Sequence, residues 1–216
     1  MLRLDIISDI VCPWCYIGKT LLDRALERSP DHPFAVEWHP YLLNPQMPRA
    51  GLPYADYLTM KFGNQSRIGP MLARVAEAAE AAGAEIRYER ITREPETTDA
   101  HRIVYWAGLE GRQTPVVSAL FRAHWRDGRD IGDAGTLADI AGEAGLDRAL
   151  IARLLATDAD REEIRTRAEH SRSRGVTGVP TFVIAGEHVL SGAQPVEVWE
   201  DVIAQIARQS GAEGAR

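Results

Sequence analysis

Cys12 and Cys15 are the two cysteines of this 216-residue chain, and the segment DIVCPWCYIG sets Pro13 and Trp14 between them. Thiols at this spacing suit three kinds of chemistry: half of a zinc site, a structural cross-link, or a redox couple. Zinc needs two further ligands at suitable spacing. The six histidines stand at 32, 39, 101, 124, 170 and 188, and no pair among them has finger-like spacing. A structural bridge across so short a loop removes little entropy from the unfolded chain. The redox reading carries most of the weight, and no metal is expected.

The flanking elements say which thiol does what. LRLDIIS (2–8) is a β-branched run that reads as a strand. From Pro13 to about Glu27, Ile17, Leu21, Leu22, Ala25 and Leu26 recur at helical spacing, and Pro13 suits a first turn, where a missing N–H costs nothing. Cys12 therefore precedes a helix whose unsatisfied N–H groups favour thiolate over thiol. Cys15 lies one turn in, within bridging reach and less exposed. Cys12 is expected to attack and to carry the mixed disulfide, and Cys15 to resolve it.

FAVEWHPYLL (34–43) alternates as a second strand, so the first part of the chain forms a βαβ unit with parallel pairing and a right-handed crossover. From Tyr54 to Gly175 the patterns are helical. Ser66 is expected to open one helix closed by Gly83, and Thr98 or Asp99 to cap a second. Thr114-Pro115, Thr136, and Asp158 or Asp160 open three more, and Ile86–Pro95 reads as an extended connection. Two short strands return in TFVIAGEHVLSG, joined at Gly186-Glu187 by an expected type II′ turn. A last helix follows Pro195, its buried stripe formed by Val198, Trp199, Val202, Ile203 and Ile206. Residues 1–50 and 176–210 are thus expected to share one mixed sheet layer, with 51–175 inserted as an all-helical domain and 211–216 a flexible tail.

GVTGVPTFVI (175–184) sets Pro180 immediately before a strand. Such a proline is commonly just a first-position residue. If that strand neighbours the cysteine strand, a cis Val179–Pro180 bond would turn the Val179 N–H and C=O toward Cys12, ready to pair with an extended substrate.

Composition excludes several function classes. The hydrophobic share of 45% and charged share of 26% are those of a globular protein, and a net charge of −6 argues against nucleic-acid binding. Arg165, Arg167, Arg172 and Arg174 interleave with Glu162, Glu163 and Glu169, which reads as a solvated helix face. The start MLRLDIISDIV lacks the features of a signal peptide, and no run is long enough to span a membrane. With no cysteine outside the pair, a cytoplasmic location is expected.

Taken together, SDIVCPWCYIGK, HPYLLNPQMP, TTDAHR, GRDIGD, GVTGVPTFVI and SGAQP resemble the DsbA-family oxidoreductases of the FrnE-like type, over residues 3 to about 207. The resemblance implies an α/β, thioredoxin-like mixed sheet with a large helical insertion between its βαβ and ββα halves. It implies thiol–disulfide exchange on protein or low-molecular-weight disulfides, with Cys12 nucleophilic, Cys15 resolving and Pro180 cis. Pro13, Trp14, Val179 and Thr181 would line the substrate groove. No permanently bound cofactor is implied beyond the Cys12–Cys15 disulfide, with glutathione as a candidate thiol substrate, and the chain as monomer or homodimer.

Relatives often place a buried acid six residues before the nucleophile, whereas here that position is Ile6, with Asp5 and Asp9 out of register. Asp9, His39 and His101 are secondary candidates, each also readable as a loop cap, a polar strand residue or a core-edge histidine. Thr98 and Asp99 share a border with the expected cleft. Two other functions compete with exchange. The related 2-hydroxychromene-2-carboxylate isomerases and kappa-class glutathione transferases bind glutathione, which here would sit between Val179 and the Ser191–Gln194 turn. They typically carry serine at the Cys12 position, and both thiols here count against them. The other is a non-enzymatic peptide-binding module using the groove around Trp14.

Overall fold

The computed structural model describes residues 1–213. Its central sheet takes four strands, β1 (Leu2–Ser8), β2 (Phe34–Pro40), β5 (Thr181–Ile184) and β6 (His188–Ser191), in the order β2-β1-β5-β6. β1 and β2 run parallel, while β5 is antiparallel to both β1 and β6. The parallel pair is bridged by α1 (Pro13–Arg28) and the last strand is followed by α9 (Val196–Glu213). The fold is thus a mixed α/β thioredoxin-like sheet whose halves are separated by a helical segment.

Alternation sorts β1 into two faces. Leu4 and Ile6 pair across the ladder with Ile184 and Phe182, and all four are buried against α1 and α9. There Trp199 meets Phe182 edge-on at 4.9 Å. Burying side chains of this size stabilises by about 1.5–3 kcal/mol each. The alternate residues Arg3, Asp5 and Ile7 face the other way, onto a cavity of about 750 Å³ shared with β5, β6 and the 174–180 segment.

β2 is an edge strand, and the helical segment blunts it. Gln113 at the start of α5 (Gln113–Phe121) accepts from the Trp38 N–H at 3.0 Å and donates to the Trp38 carbonyl at 3.3 Å, acting as a one-residue substitute strand. Thr114, expected only as a helix opener, accepts from Trp38 Nε1 at 2.9 Å.

Between the sheet halves lie α2 (Tyr54–Phe62), α3 (Gln65–Ala82), α4 (Thr98–Leu109), α5, α6 (Ala134–Glu143), α7 (Arg148–Leu155) and α8 (Arg161–Ser173). The segment also carries a two-residue antiparallel ladder, β3 (Leu52–Pro53) on β4 (Arg93–Glu94). A ladder this short shows no alternation for sequence reasoning to detect. α7 was not expected from the sequence. Asp147 caps it, accepting from the Leu150 N–H at 3.0 Å.

Cap assignments shifted by tertiary context. α6 begins earlier than Thr136, because Asp133 accepts from the Thr136 N–H at 2.7 Å. α4 starts at Thr98, but the side chain serving its first N–H groups is Glu96, which accepts from the Thr98 N–H at 3.2 Å. α3 starts at Gln65 and ends as expected at Gly83, in the left-handed conformation that glycine adopts without penalty. α5 passes into a π-turn over Arg122–Arg126.

The β5–β6 connection corrects the expected Gly186-Glu187 turn. Ala185 and Gly186 both have positive φ, 53° and 76°, and the Glu187 N–H donates to Ile184 O at 3.1 Å, which is a type I′ turn one residue earlier. The Ala185 N–H is taken by Arg3 O of β1 at 2.9 Å, which fixes the turn in this register. α9 is described through Glu213, so only 214–216 of the expected tail lie outside the described residues.

Candidate functional site

Cys12 is the N-cap residue of α1, in extended conformation, and Pro13 occupies the first helical position. The first turn contains no acidic residue to oppose a thiolate. The Cys12 carbonyl accepts from the Cys15 and Tyr16 N–H groups at 3.1 and 3.3 Å, locking the loop onto the helix. Both cysteines are buried, with 5% and 1% exposure, and neither is in a disulfide. Pro13 and Trp14 are half-buried beside them, with the Arg74 guanidinium 5.9 Å over the Trp14 ring.

The Val179–Pro180 peptide bond is cis. Cys12 Sγ lies 3.6 Å from the Val179 carbonyl oxygen, a contact between residues 167 apart in the chain. Thr181 is buried and donates its hydroxyl to Gly178 O at 2.8 Å, which holds the loop ahead of β5. Gly18, which sequence reasoning passed over, is what lets α1 approach this loop. A Cβ there would stand 3.0 Å from Pro180 Cγ and 3.3 Å from Ala193 Cα. Its signal was its place one helical turn beyond Cys15, facing the sheet, where only packing reveals the close approach.

Burial, and then the neighbouring Cys12, push the Cys15 thiol well above its ordinary range, while the Ser8 hydroxyl and the Asp9 backbone N–H pull it back down. Any reaction that ionises Cys15 must therefore stabilise a negative sulfur in a buried site.

Asp9 is fully buried and sits at the centre of a polar cluster between the motif and the helical segment. Its Oδ2 accepts from the Leu43 N–H at 2.8 Å, and its Oδ1 lies 3.3 Å from His101 Nε2, itself 3% exposed. Two further buried groups, neither a sequence candidate, feel its charge. Burial drives His124 down to about 4, partly opposed by Asp9. Glu94 is pushed up to about 8, by burial first and then by Asp9, with Lys61, Tyr57 and Asn44 opposing. Asn44 Nδ2 donates to Glu94 Oε1 at 3.2 Å. Asp9 and Glu94 together hold the 41–47 loop, through the Leu43 N–H and the Asn44 side chain.

The Glu94 shift sets a pH dependence. Unfolded, Glu94 ionises near its ordinary value of 4.5, and folded only near 8. Between those values the folded state holds the extra proton, so the group's stabilising contribution is full at low pH and declines as pH rises toward 8. The slope is at most about 1.4 kcal/mol per pH unit. Glu94→Gln is expected to flatten the loss of stability between about pH 4.5 and about pH 8, measured as urea midpoints. An unchanged slope would remove Glu94 as its source.

His39 is placed away from the cysteines. Its Nε2 lies 2.7 Å from Asp5 Oδ1, on the sheet face turned from α1. Asp5, Glu37 and His39 form the group of possible metal ligands among the described residues, but Arg3 Nε already sits 2.8 Å from Asp5 Oδ2. Val179, Pro180, Thr181, Ser191 and His39 all line the 750 Å³ cavity, whereas Cys12, Trp14 and Gln194 do not. Gln194 Nε2 donates to Ser191 O at 2.7 Å and so closes its own turn. Thr98 and Asp99 belong to a buried ion cluster, in which Asp99 accepts from both Arg102 and Arg161. Arg172, expected on a solvated face, lies 4.3 Å over the Tyr41 ring and donates to Leu42 O.

With this geometry in view, the chain can be compared with known proteins. The DSBA-like thioredoxin domain matches residues 3–204. The uncharacterised protein YwbO of Bacillus subtilis is 29% identical over 202 residues, 93% of this chain and 95% of that one. The crystal structure of a probable DsbA oxidoreductase from Streptomyces coelicolor is 32% identical, with a TM-score of 0.83, covering 95% of this chain and 89% of the other. The cytosolic disulfide reductase DsbM of Pseudomonas aeruginosa, solved with GSH, shares the fold at 21% identity and a TM-score of 0.67, over 96% of this chain and 100% of its own. Among the described residues no helix is long and apolar enough to cross a membrane.

Proposed function

The chain belongs to the DSBA-like thioredoxin domain family, and from that premise we propose that it is a thiol–disulfide oxidoreductase working in the reductive or isomerising direction. Cys12 is the attacking thiolate, Cys15 the resolving thiol, and the Val179 backbone the edge on which an extended substrate pairs. The observation that carries this reading is the contact of Cys12 Sγ with the Val179 carbonyl at the N-terminus of α1, with Cys15 buried one turn behind it. A thiolate at a helix N-terminus is stabilised without any added cofactor.

Trp14, Pro13 and Thr181 shape the groove, and glutathione serves as the low-molecular-weight thiol. The likeness to a reductase solved with GSH supports that choice. A cytoplasmic site of action fits the same reading, since a dithiol in a reducing compartment rests reduced and ready to attack.

The test is equilibration of the reduced protein with glutathione buffers, followed by intact mass. A transient single glutathione adduct on Cys12 and then a Cys12–Cys15 disulfide are expected. The potential should lie nearer the about −270 mV of thioredoxin than the about −120 mV of a strong oxidant. Absence of both oxidised species would overturn the assignment.

A further inference from the structure

The sheet face turned away from α1 carries two rows of side chains across its strands. Glu37, Asp5, Val183 and Val189 stand opposite one another in the first, and His39, Ile7, Thr181 and Ser191 in the second. Ile7, Val183 and Val189 are diagonal or direct neighbours and form an apolar floor. Val189 is 59% exposed, so no described element covers the floor at the β6 edge. This floor belongs to the cavity of about 750 Å³, whose opposite wall is the end of α8 and the loop that follows it. A space of that size suits a small molecule.

The charges around it are one-sided. Asp5 supplies the carboxylate of the lining, and both its oxygens are occupied: Oδ2 accepts from Arg3 Nε at 2.8 Å, and Oδ1 lies 2.7 Å from His39 Nε2. Glu37, 3.9 Å from His39 Nε2, stands outside the lining. Arg174, at the end of α8, lines the far wall, and its guanidinium makes no hydrogen bond or ion pair among the described residues. Arg3 commits only Nε, which leaves its Nη groups as spare donors. Two guanidiniums with unused donors thus border an apolar floor on which no carboxylate is free.

We propose that this cavity is a second ligand site, separate from the thiol motif, which takes a small amphipathic organic anion. The apolar body of the ligand lies on Ile7, Val183 and Val189, and its carboxylate or sulfonate is held by Arg174 and Arg3. A guanidinium presents a planar fork of donors that matches two oxygens of such a group. An uncharged ligand leaves those donors unused, and a cation meets two like charges. Cys12 and Trp14 lie outside the lining, so the proposal goes beyond the exchange reading and does not depend on it.

The probe is 8-anilinonaphthalene-1-sulfonate, titrated by fluorescence into the full chain, with N-phenyl-1-naphthylamine as its uncharged counterpart. One saturable site per chain is expected for the sulfonate. The uncharged dye should bind about tenfold more weakly or worse, the worth of one hydrogen bond to a charged group. Arg174→Glu should weaken the sulfonate about tenfold or more and leave the uncharged dye as it was, by the same reasoning. Val189→Asp, at an exposed position, puts a carboxylate on the floor and should weaken both dyes. Trp14→Ala and Cys12→Ser should change neither. Absence of a saturable site, equal binding of the two dyes by the wild type, or a sulfonate affinity unmoved by Arg174→Glu overturns the proposal. Loss of the sulfonate on Trp14→Ala, with Val189→Asp without effect, also overturns it, because the dye then occupies the groove at the thiol motif.

Discussion

Cys12→Ser is expected to cut disulfide reduction to the uncatalysed background, whereas Cys15→Ser is expected to perform the first half of the reaction and stall as a stable mixed disulfide. The asymmetry follows from the two environments. Cys12 caps α1 with no carboxylate in the first turn, beside the Val179 carbonyl, so on the proposed reading its sulfur is the one a substrate strand would meet. A serine hydroxyl there stays protonated at neutral pH and forms no bond to sulfur, so the loss is complete. Cys15 is more deeply buried, and its thiol is held well above the ordinary range by that burial and by Cys12. On the proposed reading it attacks only a disulfide already delivered to Cys12. With Cys15 replaced, the adduct has no internal route of release and persists until an external thiol arrives. Insulin reduction measures the first result, and one glutathione per chain by intact mass the second. Turnover by Cys12→Ser, or a Cys15→Ser adduct that clears as fast as wild type, would reverse the assigned roles.

Arg102→Leu is expected to produce the largest loss of stability, about 3–5 kcal/mol, or a fall in Tm on the order of 10 °C for a chain of this size. The guanidinium is fully buried and spends its donors on four acceptors. Nε donates to Ala159 O at 2.6 Å, Nη1 to Asp99 Oδ1 at 2.7 Å, and Nη2 to Leu154 O and Thr157 O at 2.8 and 2.9 Å. Asp99 would keep Arg161 at 2.6 Å and Leu154 O would keep the Thr157 N–H and hydroxyl, but the Thr157 and Ala159 carbonyls at the α7–α8 junction would lose their Arg102 donors. Lysine is no rescue, because one ammonium lacks the planar fork that reaches all four acceptors. The effect reaches the site through α8, whose C-terminal end leads into the 174–180 segment carrying Val179 and Pro180. Denaturant unfolding measures the change, and a loss under about 1 kcal/mol would show that the junction is held by its packing instead.

Much of this was written locally. Pro13 at a first helical turn, the alternation of β1, and Gly83 at a helix end each depend on near neighbours in the chain, and the structure follows them. The β5–β6 turn was misplaced by one residue because its register depends on the Ala185 bond to Arg3, 182 positions away in sequence number. Asp5 and Asp9 looked equally near the cysteines. Strand parity turns Asp5 to the far face beside His39, while the bend after Ser8 buries Asp9 beside His101. Glu94 and His124 gave no signal at all, since an acid in a connecting segment and a histidine on a helix are ordinary surface residues until packing buries them.

The sequence by itself determined that two thiols stand at a strand–helix junction with no metal-ligand partners at suitable spacing, and which one caps the helix. Those are properties of residue type and of the periods 2 and 3.6. Only the tertiary structure decided that the Val179 carbonyl meets Cys12 and that Gly18 admits Pro180. These contacts depend on which distant segments the core brings together, and on how burial then changes the energy of a charge. Short-range pattern carries the first kind of information, and only the packed chain carries the second.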